Sequence, residues 1–410
     1  MQAVAPSRPL AIALAGLVSL AVAMGIGRFA FTPLLPIMLA ERSVTLAGAS
    51  LLASANYFGY LLGALACTFQ PWIWGRFGAA PAVNGPKLVR LGLAATALLT
   101  LGMAWHWPAA WTLLRFAAGV ASAVVFLYTS GWVLEQLARR EVPAMGALIF
   151  VGPGAGIAVS GIAASGLVAM QAQAAVGWAT FGIVAALLTA AVWKVFDARR
   201  GIAPAPLAPG RAAQDARPAR AGSGEIAVLT FAYGLAGIGY IITATFLPVI
   251  ARQALPGSPW LDLFWPLFGV GVMLGAVGAS RLRAAADLRL RLAACYAIQA
   301  MGVAASLLSP TLAGFALGSL LLGLPFTAIT FFAMQEVRRV RPLHATSYMG
   351  LLTAMYGIGQ IAGPPLAAWL VGRSATAAEG FATSLWIACS LLVLGAALYV
   401  ALAKARPAVP

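Results

Sequence analysis

Along most of the chain, apolar residues run in long stretches, with the polar residues gathered into short gaps. About twenty apolar residues suffice to cross roughly 30 Å of hydrocarbon as an α-helix. The pattern predicts twelve such helices. Six lie near 10–39, 44–69, 87–105, 107–134, 142–170 and 174–194; six more lie near 225–251, 258–280, 288–308, 310–335, 343–371 and 380–403. Between the sets, 195–224 is rich in Ala, Pro, Gly and Arg and has almost no large apolar residue, as a flexible linker does. The expected fold is all-α integral membrane, with six-helix bundles over 1–194 and 225–410.

Composition supports this and excludes a water-soluble fold. Of 410 residues, 62% are hydrophobic and 9% charged, whereas a soluble domain carries about a quarter charged residues. The formal charge of +16 would suit a nucleic-acid binder if the basic residues formed one patch, but they sit between the apolar spans. Arg8 precedes the first apolar run, which continues past Arg28 and is too long for a signal-peptide core. If the amino terminus is cytoplasmic, only Arg42, Arg252 and Arg373 of the 26 Lys and Arg residues face outward, and only Arg28 and Arg115 lie within spans. The rest fall on the inner side, as the positive-inside rule requires. The expected placement is a multi-pass protein of the bacterial inner membrane with both termini in the cytoplasm.

The two sets of helices repeat each other. At an offset of 212, "GIGRFAFTPLLPI" in the first helix shadows "GIGYIITATFLPV" in the seventh, so Gly25, Gly27 and Pro36 match Gly237, Gly239 and Pro248. Gly59 and Gly63 match Gly271 and Gly275 at the same offset. At an offset of 199, Gly119, Gln136, Arg139, Arg140 and Pro143 fall on Gly318, Gln335, Arg338, Arg339 and Pro342. Parallel six-helix repeats mark a two-lobed transporter. Pairs of small residues four apart, such as Gly152/Gly156, also let membrane helices approach closely.

The halves, linker and repeats resemble the major facilitator superfamily across essentially the whole chain, and "GIGRFAFTPLLP" resembles the opening signature of its YbfB/YjiJ-type branch. Arg115-x-x-x-Gly119 is similar to the Arg-containing motif of many proton-linked members. Gly152-Pro153-x-x-Gly156 is similar to the Gly-Pro motif associated with exchangers and efflux pumps. One departure stands out: Cys67 occupies the Asp-like place after Gly63, and Ala279 the matching place in the second half. The usual cytoplasmic latch is therefore altered.

The resemblance implies that the first, fourth, seventh and tenth helices line a central cavity, which puts Arg28 and Arg115 near a substrate path. Physical reasoning points the same way. A buried Arg costs about 2.5–3.5 kcal/mol on insertion scales and usually faces a cavity, and its guanidinium grips carboxylates or phosphates in bidentate fashion. The alternatives are that Arg28 ends a short helix in the headgroups, and that Arg115 bonds structurally to neighbouring carbonyls. Tyr240 is the repeat equivalent of Arg28, with Tyr233 and Thr243 on its face. Ser122 and Thr129 share the face of Arg115, and Asn56 and Gln360 are further candidates. Together they predict a cavity cationic on one side and aromatic-hydroxyl on the other, suited to an organic anion with an apolar body. Polar faces of this kind also arise from helix–helix hydrogen bonding.

For conformational change, the candidates are Gly152, Pro153 and Gly156, together with Glu135 beside Arg139/Arg140 and Glu336 beside Arg338/Arg339, as ion pairs closing the inner gate. Proton carriage by these carboxylates is the alternative. Pro33 and Pro36 are placed to kink the outer end of the first helix, and Asp262 to be solvated outside the eighth. His106 and His344 lie at opposite membrane sides, and the cysteines form no metal or redox pattern, so neither metal nor cofactor is expected.

The spans offer no paired acid and base and no nucleophile with a base, and the chain has no P-loop, which argues against an enzyme or an ATP-driven pump. The expected function is a secondary active transporter of a small organic anion, working by alternating access as a monomer, with protons a candidate coupling ion. An efflux exchanger for drugs or metabolites is the alternative within the class. A membrane sensor or lipid translocator is the alternative outside it.

Overall fold

The computed structural model describes residues 9–76, 84–196, 223–258, 260–282, 287–342 and 345–406. Nearly all of the predicted linker lies outside these residues, as do Arg8 and His344. The described residues are helical and contain no strand. In chain order the helices are α1 (Pro9–Leu20), α2 (Phe31–Ala40), α3 (Leu46–Arg76), α4 (Gly85–Gly102), α5 (Pro108–Ala138), α6 (Gly152–Ala169) and α7 (Ala174–Val192). These are followed by α8 (Ser223–Ala254), α9 (Phe264–Arg281), α10 (Leu288–Leu308), α11 (Leu312–Gly323), α12 (Phe326–Val340), α13 (Ala345–Arg373) and α14 (Ala377–Ala405).

Among the described residues, ten helical units are long and apolar enough to cross a membrane. The third and eleventh predicted spans, α4 and α13, are helical but less apolar. Lys87 and Arg90 occupy the start of α4; Gln360, several glycines and Pro364–Pro365 dilute α13. Large apolar side chains such as Leu98, Leu113, Ile162, Leu187 and Trp386 lie exposed on the outer surface, which only lipid can cover without a penalty.

Three predicted spans are interrupted. The first runs as α1, a π-helical turn over Ala21–Ile26, a turn over 27–30, and α2. Pro33 and Pro36 carry no N–H, so they remove the donors for the carbonyls of Phe29 and Thr32. Thr32 N–H turns instead to the Phe29 carbonyl at 3.2 Å, and the N–H groups of Gly27 and Phe29 reach back five residues to Val22 and Met24. The distortion thus lies before Pro33, in the middle of the span, and not at its outer end as the prolines alone suggest. The fifth span begins as a 3-10 stretch (Pro143–Val151) and becomes α6 at Gly152-Pro153. The tenth breaks between α11 and α12 at Pro325.

Glycines at repeated positions meet equivalent partners. Gly59 and Gly63 of α3 press on the α5 backbone: a Cβ on Gly59 would overlap the Phe116 carbonyl, and one on Gly63 would sit 3.0 Å from Val120. Their counterparts Gly271 and Gly275 of α9 press likewise on Leu320 and Leu324, at the end of α11. Gly25 lies against Gly156 of α6, while Gly237 of α8 lies against the Tyr356 backbone of α13. Thr32 and Ala244, equivalent at the offset of 212, touch each other: Thr32 Oγ1 donates to the Ala244 carbonyl at 3.1 Å.

One end of the helix array collects charge. Arg289 at the start of α10 is almost fully buried and bonds Asp287 at 2.7 Å, with Glu225 of α8 at 3.5 Å and Glu336 of α12 at 3.7 Å. Arg339 and Arg406 complete the cluster through Glu336 and Glu225. In the first half, Arg90 Nε donates to the Trp193 carbonyl at 2.8 Å, joining the start of α4 to the end of α7.

Candidate functional site

The break in the first span presents Arg28 to the middle of the molecule, 3% exposed. Its Nη2 donates to Gln360 Oε1 of α13 at 2.6 Å. A guanidinium only donates, so the amide oxygen faces it and the amide nitrogen points the other way. That nitrogen donates to the hydroxyl of Tyr240 on α8. Two repeat-equivalent residues, Arg28 and Tyr240, are thus bridged by one glutamine.

Aromatic rings surround this bridge. The Arg28 guanidinium carbon lies 4.1 Å from the ring centre of Tyr60, 5.2 Å from Tyr57 and 5.3 Å from Phe29, within cation–π range. Tyr240 stacks on Tyr356 at 5.7 Å and meets Phe326 edge-on at 5.2 Å. Tyr233 packs on Tyr356 at 4.8 Å and donates its hydroxyl hydrogen bond to Thr330 Oγ1 at 3.0 Å. Tyr60, Tyr356, Phe326 and Thr330 are partly exposed, so the cluster borders open space. Arg28 Nε is buried without a hydrogen-bond partner, and among the described residues no carboxylate pairs with Arg28 or Arg115.

The other predicted residues do different work. Arg115, 2% exposed, donates from Nη1 to the Gly27 carbonyl at 3.1 Å and from Nη2 to the Arg28 carbonyl at 3.0 Å. These carbonyls lie in the turn that follows the π-helical segment. Arg115 therefore takes the bracing role named above as its alternative. Ser122 stands 2.8 Å from the Ala23 carbonyl and 2.7 Å from that of Ala118, able to donate to either. Asn56 Nδ2 donates to the Arg115 carbonyl at 2.9 Å, and Gly119 lies against the Asn56 backbone. Arg115, Ser122, Asn56 and Gly119 stitch α3 and α5 to the broken span. Thr129 and Thr243 are buried with unpartnered hydroxyls.

Gly152 and Gly156 face the carbonyls of Leu17 and Ala21, so the Gly152-Pro153-x-x-Gly156 segment packs along the first span up to its π-helical turn. Glu135 pairs with Arg139 at 2.5 Å on the α5 surface. Glu336 is fully buried and pairs with Arg339 and Arg289, whereas Arg338 is exposed. Arg338 and Arg339 are both exposed, but the i+3 spacing brings Arg339 back over Glu336, so of the two neighbouring arginines it is Arg339 that pairs. Both carboxylates find their partners within their own half. Asp262 is not solvated freely; it pairs with Arg252 at the end of α8.

Sequence reasoning missed Tyr57, Tyr60, Thr245, Phe326, Thr330 and Tyr356. A usable signal existed for two of them. Tyr60 follows Asn56 by four residues and Tyr356 precedes Gln360 by four, so each shares a helix face with a polar candidate.

The two halves meet along several seams. Away from the charged end, Ser54 Oγ donates to the Ile361 carbonyl at 2.8 Å, and the hydroxyls of Tyr57 and Thr245 lie 3.1 Å apart. Ser165 Oγ also approaches the Asp262 carbonyl at 3.3 Å. Toward the charged end, α5 and α12 share no extended contact, while α3 and α13 stay packed with Gly350 beside Phe69.

Comparison with known proteins gives this buried cation–aromatic cluster its setting. Residues 20–400 match the family described as uncharacterised MFS-type transporter YbfB. The chain belongs to this family. It is a multi-pass membrane transporter by family, and its fold is that of solved relatives. The crystal structure of the nucleoside transporter NupG superposes with a TM-score of 0.67 at 14% identity, covering 97% of this chain and 99% of that one. A point mutant of NupG gives 0.63 at 14% identity, covering 95% and 99%. No curated protein matches the sequence.

Proposed function

We propose that this chain is a secondary active transporter that moves a small organic anion with a planar, apolar body across the bacterial inner membrane by alternating access. In this reading twelve spans form two six-helix lobes, 1–194 and 225–410, joined by a cytoplasmic linker over 195–224. Both termini lie in the cytoplasm and the working unit is a monomer. The observation that carries the proposal is the state of Arg28: a buried guanidinium held by a neutral amide and by rings, its Nε unpartnered, with no carboxylate to balance it. A buried charge of this kind is costly to leave unpaired, and an anionic substrate supplies the missing partner. The rings of Tyr60, Tyr240 and Tyr356 would take the apolar body.

With the charged ends cytoplasmic, the lack of extended contact between α5 and α12 corresponds to an inward-opening form, closed outside by the Ser54, Tyr57 and Thr32 hydrogen bonds. Proton coupling would fall to Glu336 or Glu135, since the spans carry no carboxylate beside Arg28. A second reading, an efflux exchanger, draws on the close packing of Gly152-Pro153-x-x-Gly156 against the broken span. The name of NupG suggests nucleosides, but a neutral nucleoside would leave Arg28 unbalanced.

The test is thermal unfolding of the purified protein against organic anions, lipophilic cations and uridine, with Arg28→Ala alongside, followed by flux in proteoliposomes. A bound solute stabilises by mass action, about 2.7 kcal/mol at a hundredfold excess over its dissociation constant. Aromatic carboxylates should stabilise the wild type and not the variant, and should be transported. Stabilisation by cations or uridine in both proteins would refute the anion reading.

A further inference from the structure

Resting on the anion reading, we propose that Gln360 is the internal competitor of the substrate: its amide oxygen holds the position on Arg28 that a substrate carboxylate takes, and binding of the anion displaces it.

Two contacts and one difference in charge support this. The Gln360 oxygen accepts from Arg28 Nη2 at 2.6 Å, the kind of place a carboxylate oxygen takes on a guanidinium. An amide oxygen carries no formal charge, so an ionised carboxylate, which can bond two guanidinium nitrogens at once, outcompetes it. The displaced amide stays attached to its own half, because its nitrogen donates to the hydroxyl of Tyr240 on α8. Displacement would therefore remove a bond between the first span and α13 while leaving the contacts within the second half intact. This gives the anion a differential effect on the two lobes, which any ligand needs if it is to shift a conformational equilibrium.

Gln360 is thus a positioning and specificity residue in this scheme. It keeps Arg28 oriented, and it sets a threshold that a neutral amide or hydroxyl solute does not pass.

The experiment uses the full-length protein with Gln360→Glu, Gln360→Leu and Arg28→Ala. The probes are benzoate and its neutral isostere benzamide, with phenylacetate and succinate as further carboxylates. The readouts are the solute-free melting temperature and the carboxylate concentration giving half-maximal stabilisation. Gln360→Glu places a tethered carboxylate on Arg28 at high effective concentration, so it should raise the melting temperature and the half-saturating concentration by about tenfold or more. Gln360→Leu removes the competitor and should lower that concentration severalfold. Benzamide should not stabilise the wild type, Gln360→Glu or Arg28→Ala, and should stabilise Gln360→Leu, more weakly than benzoate does.

If Gln360→Leu weakens carboxylate binding as Arg28→Ala does, Gln360 is a direct ligand and the inference falls. It falls also if Gln360→Glu leaves carboxylate binding unchanged while the wild type responds, and in that case the anion reading stands. If no carboxylate stabilises the wild type, the anion reading itself fails.

Discussion

The bracing role of Arg115 makes a prediction that separates it from Arg28. Arg115→Met keeps most of the side-chain volume but removes two charge-assisted hydrogen bonds, to the carbonyls of Gly27 and Arg28. Bonds from charged donors contribute about 1.5–3 kcal/mol each, so about 3–6 kcal/mol together. Against this stands the cost of placing a guanidinium within the membrane, about 2.5–3.5 kcal/mol on insertion scales. The midpoints of the two ranges favour arginine by about 1.5 kcal/mol. That margin resides in the turn over 27–30, where the Thr32 N–H has turned from the Arg28 carbonyl to that of Phe29. The assay is unfolding in detergent, paired with the carboxylate titration on the same preparation. Arg115→Met should unfold more readily by about that margin yet keep carboxylate affinity within about threefold, whereas Arg28→Met should lose affinity by more than about tenfold. An Arg115→Met protein that is as stable as the wild type but blind to carboxylates would refute the brace and return Arg115 to the substrate path.

Two further predictions concern the charged end. The hydrogen bonds from Arg289 hold the Asp287 carboxyl below the usual carboxylate range. A depressed folded-state value stabilises the protein above the unfolded value of about 3.9 and is lost as pH falls through the folded one. Melting curves of the wild type and Asp287→Asn should therefore differ at neutral pH and converge as pH drops below about 4; a constant gap would refute the assignment. For membrane orientation, single cysteines at Glu141 and Gln171, in a background with Cys67, Cys295 and Cys389 replaced, should label from opposite sides of intact cells. Glu141→Cys should label only after permeabilisation, and the reverse pattern would invert the proposed topology.

Much of the fold was legible because the forces that set it act along the chain. Apolar length marked the helices, and the glycine pairs at offset 212 marked where they press together: Gly59 and Gly271 meet backbones at equivalent places. The interruptions were less legible. Pro33 and Pro36 announce that carbonyls lose their donors, but the resulting distortion lies over 21–30, where Gly25 and Gly27 make room and Arg115 supplies hydrogen bonds from another helix. Pairing at the charged end was legible only in part, since the choice of Arg339 over Arg338 depends on how α12 is rotated against α8 and α10. The aromatic surroundings of Arg28 were least legible, because an apolar stretch rich in rings looks the same whether a ring faces lipid, as Trp386 does, or a guanidinium, as Tyr60 does.

The relation between symmetry and chemistry explains why Arg28 and Tyr240 end up together. If two residues at equivalent repeat positions touch, both must lie beside the axis that relates the repeats. The hydrogen bond from Thr32 to the Ala244 carbonyl satisfies that condition. Arg28 and Tyr240 precede this contact by four residues in their respective repeats and are bridged by Gln360, so they too lie near the axis, on opposite sides of it. A strict repeat would have placed two guanidiniums or two phenols there. The first would repel within a low-dielectric interior, and the second would offer an anion no charge. Divergence at this one pair yields a cation on one repeat and a hydroxyl on the other, close enough for Gln360 to span both. In the reading proposed above, an anion entering that gap meets its charge partner on one lobe and the competing amide on the other, so its binding acts across the boundary that alternating access must move.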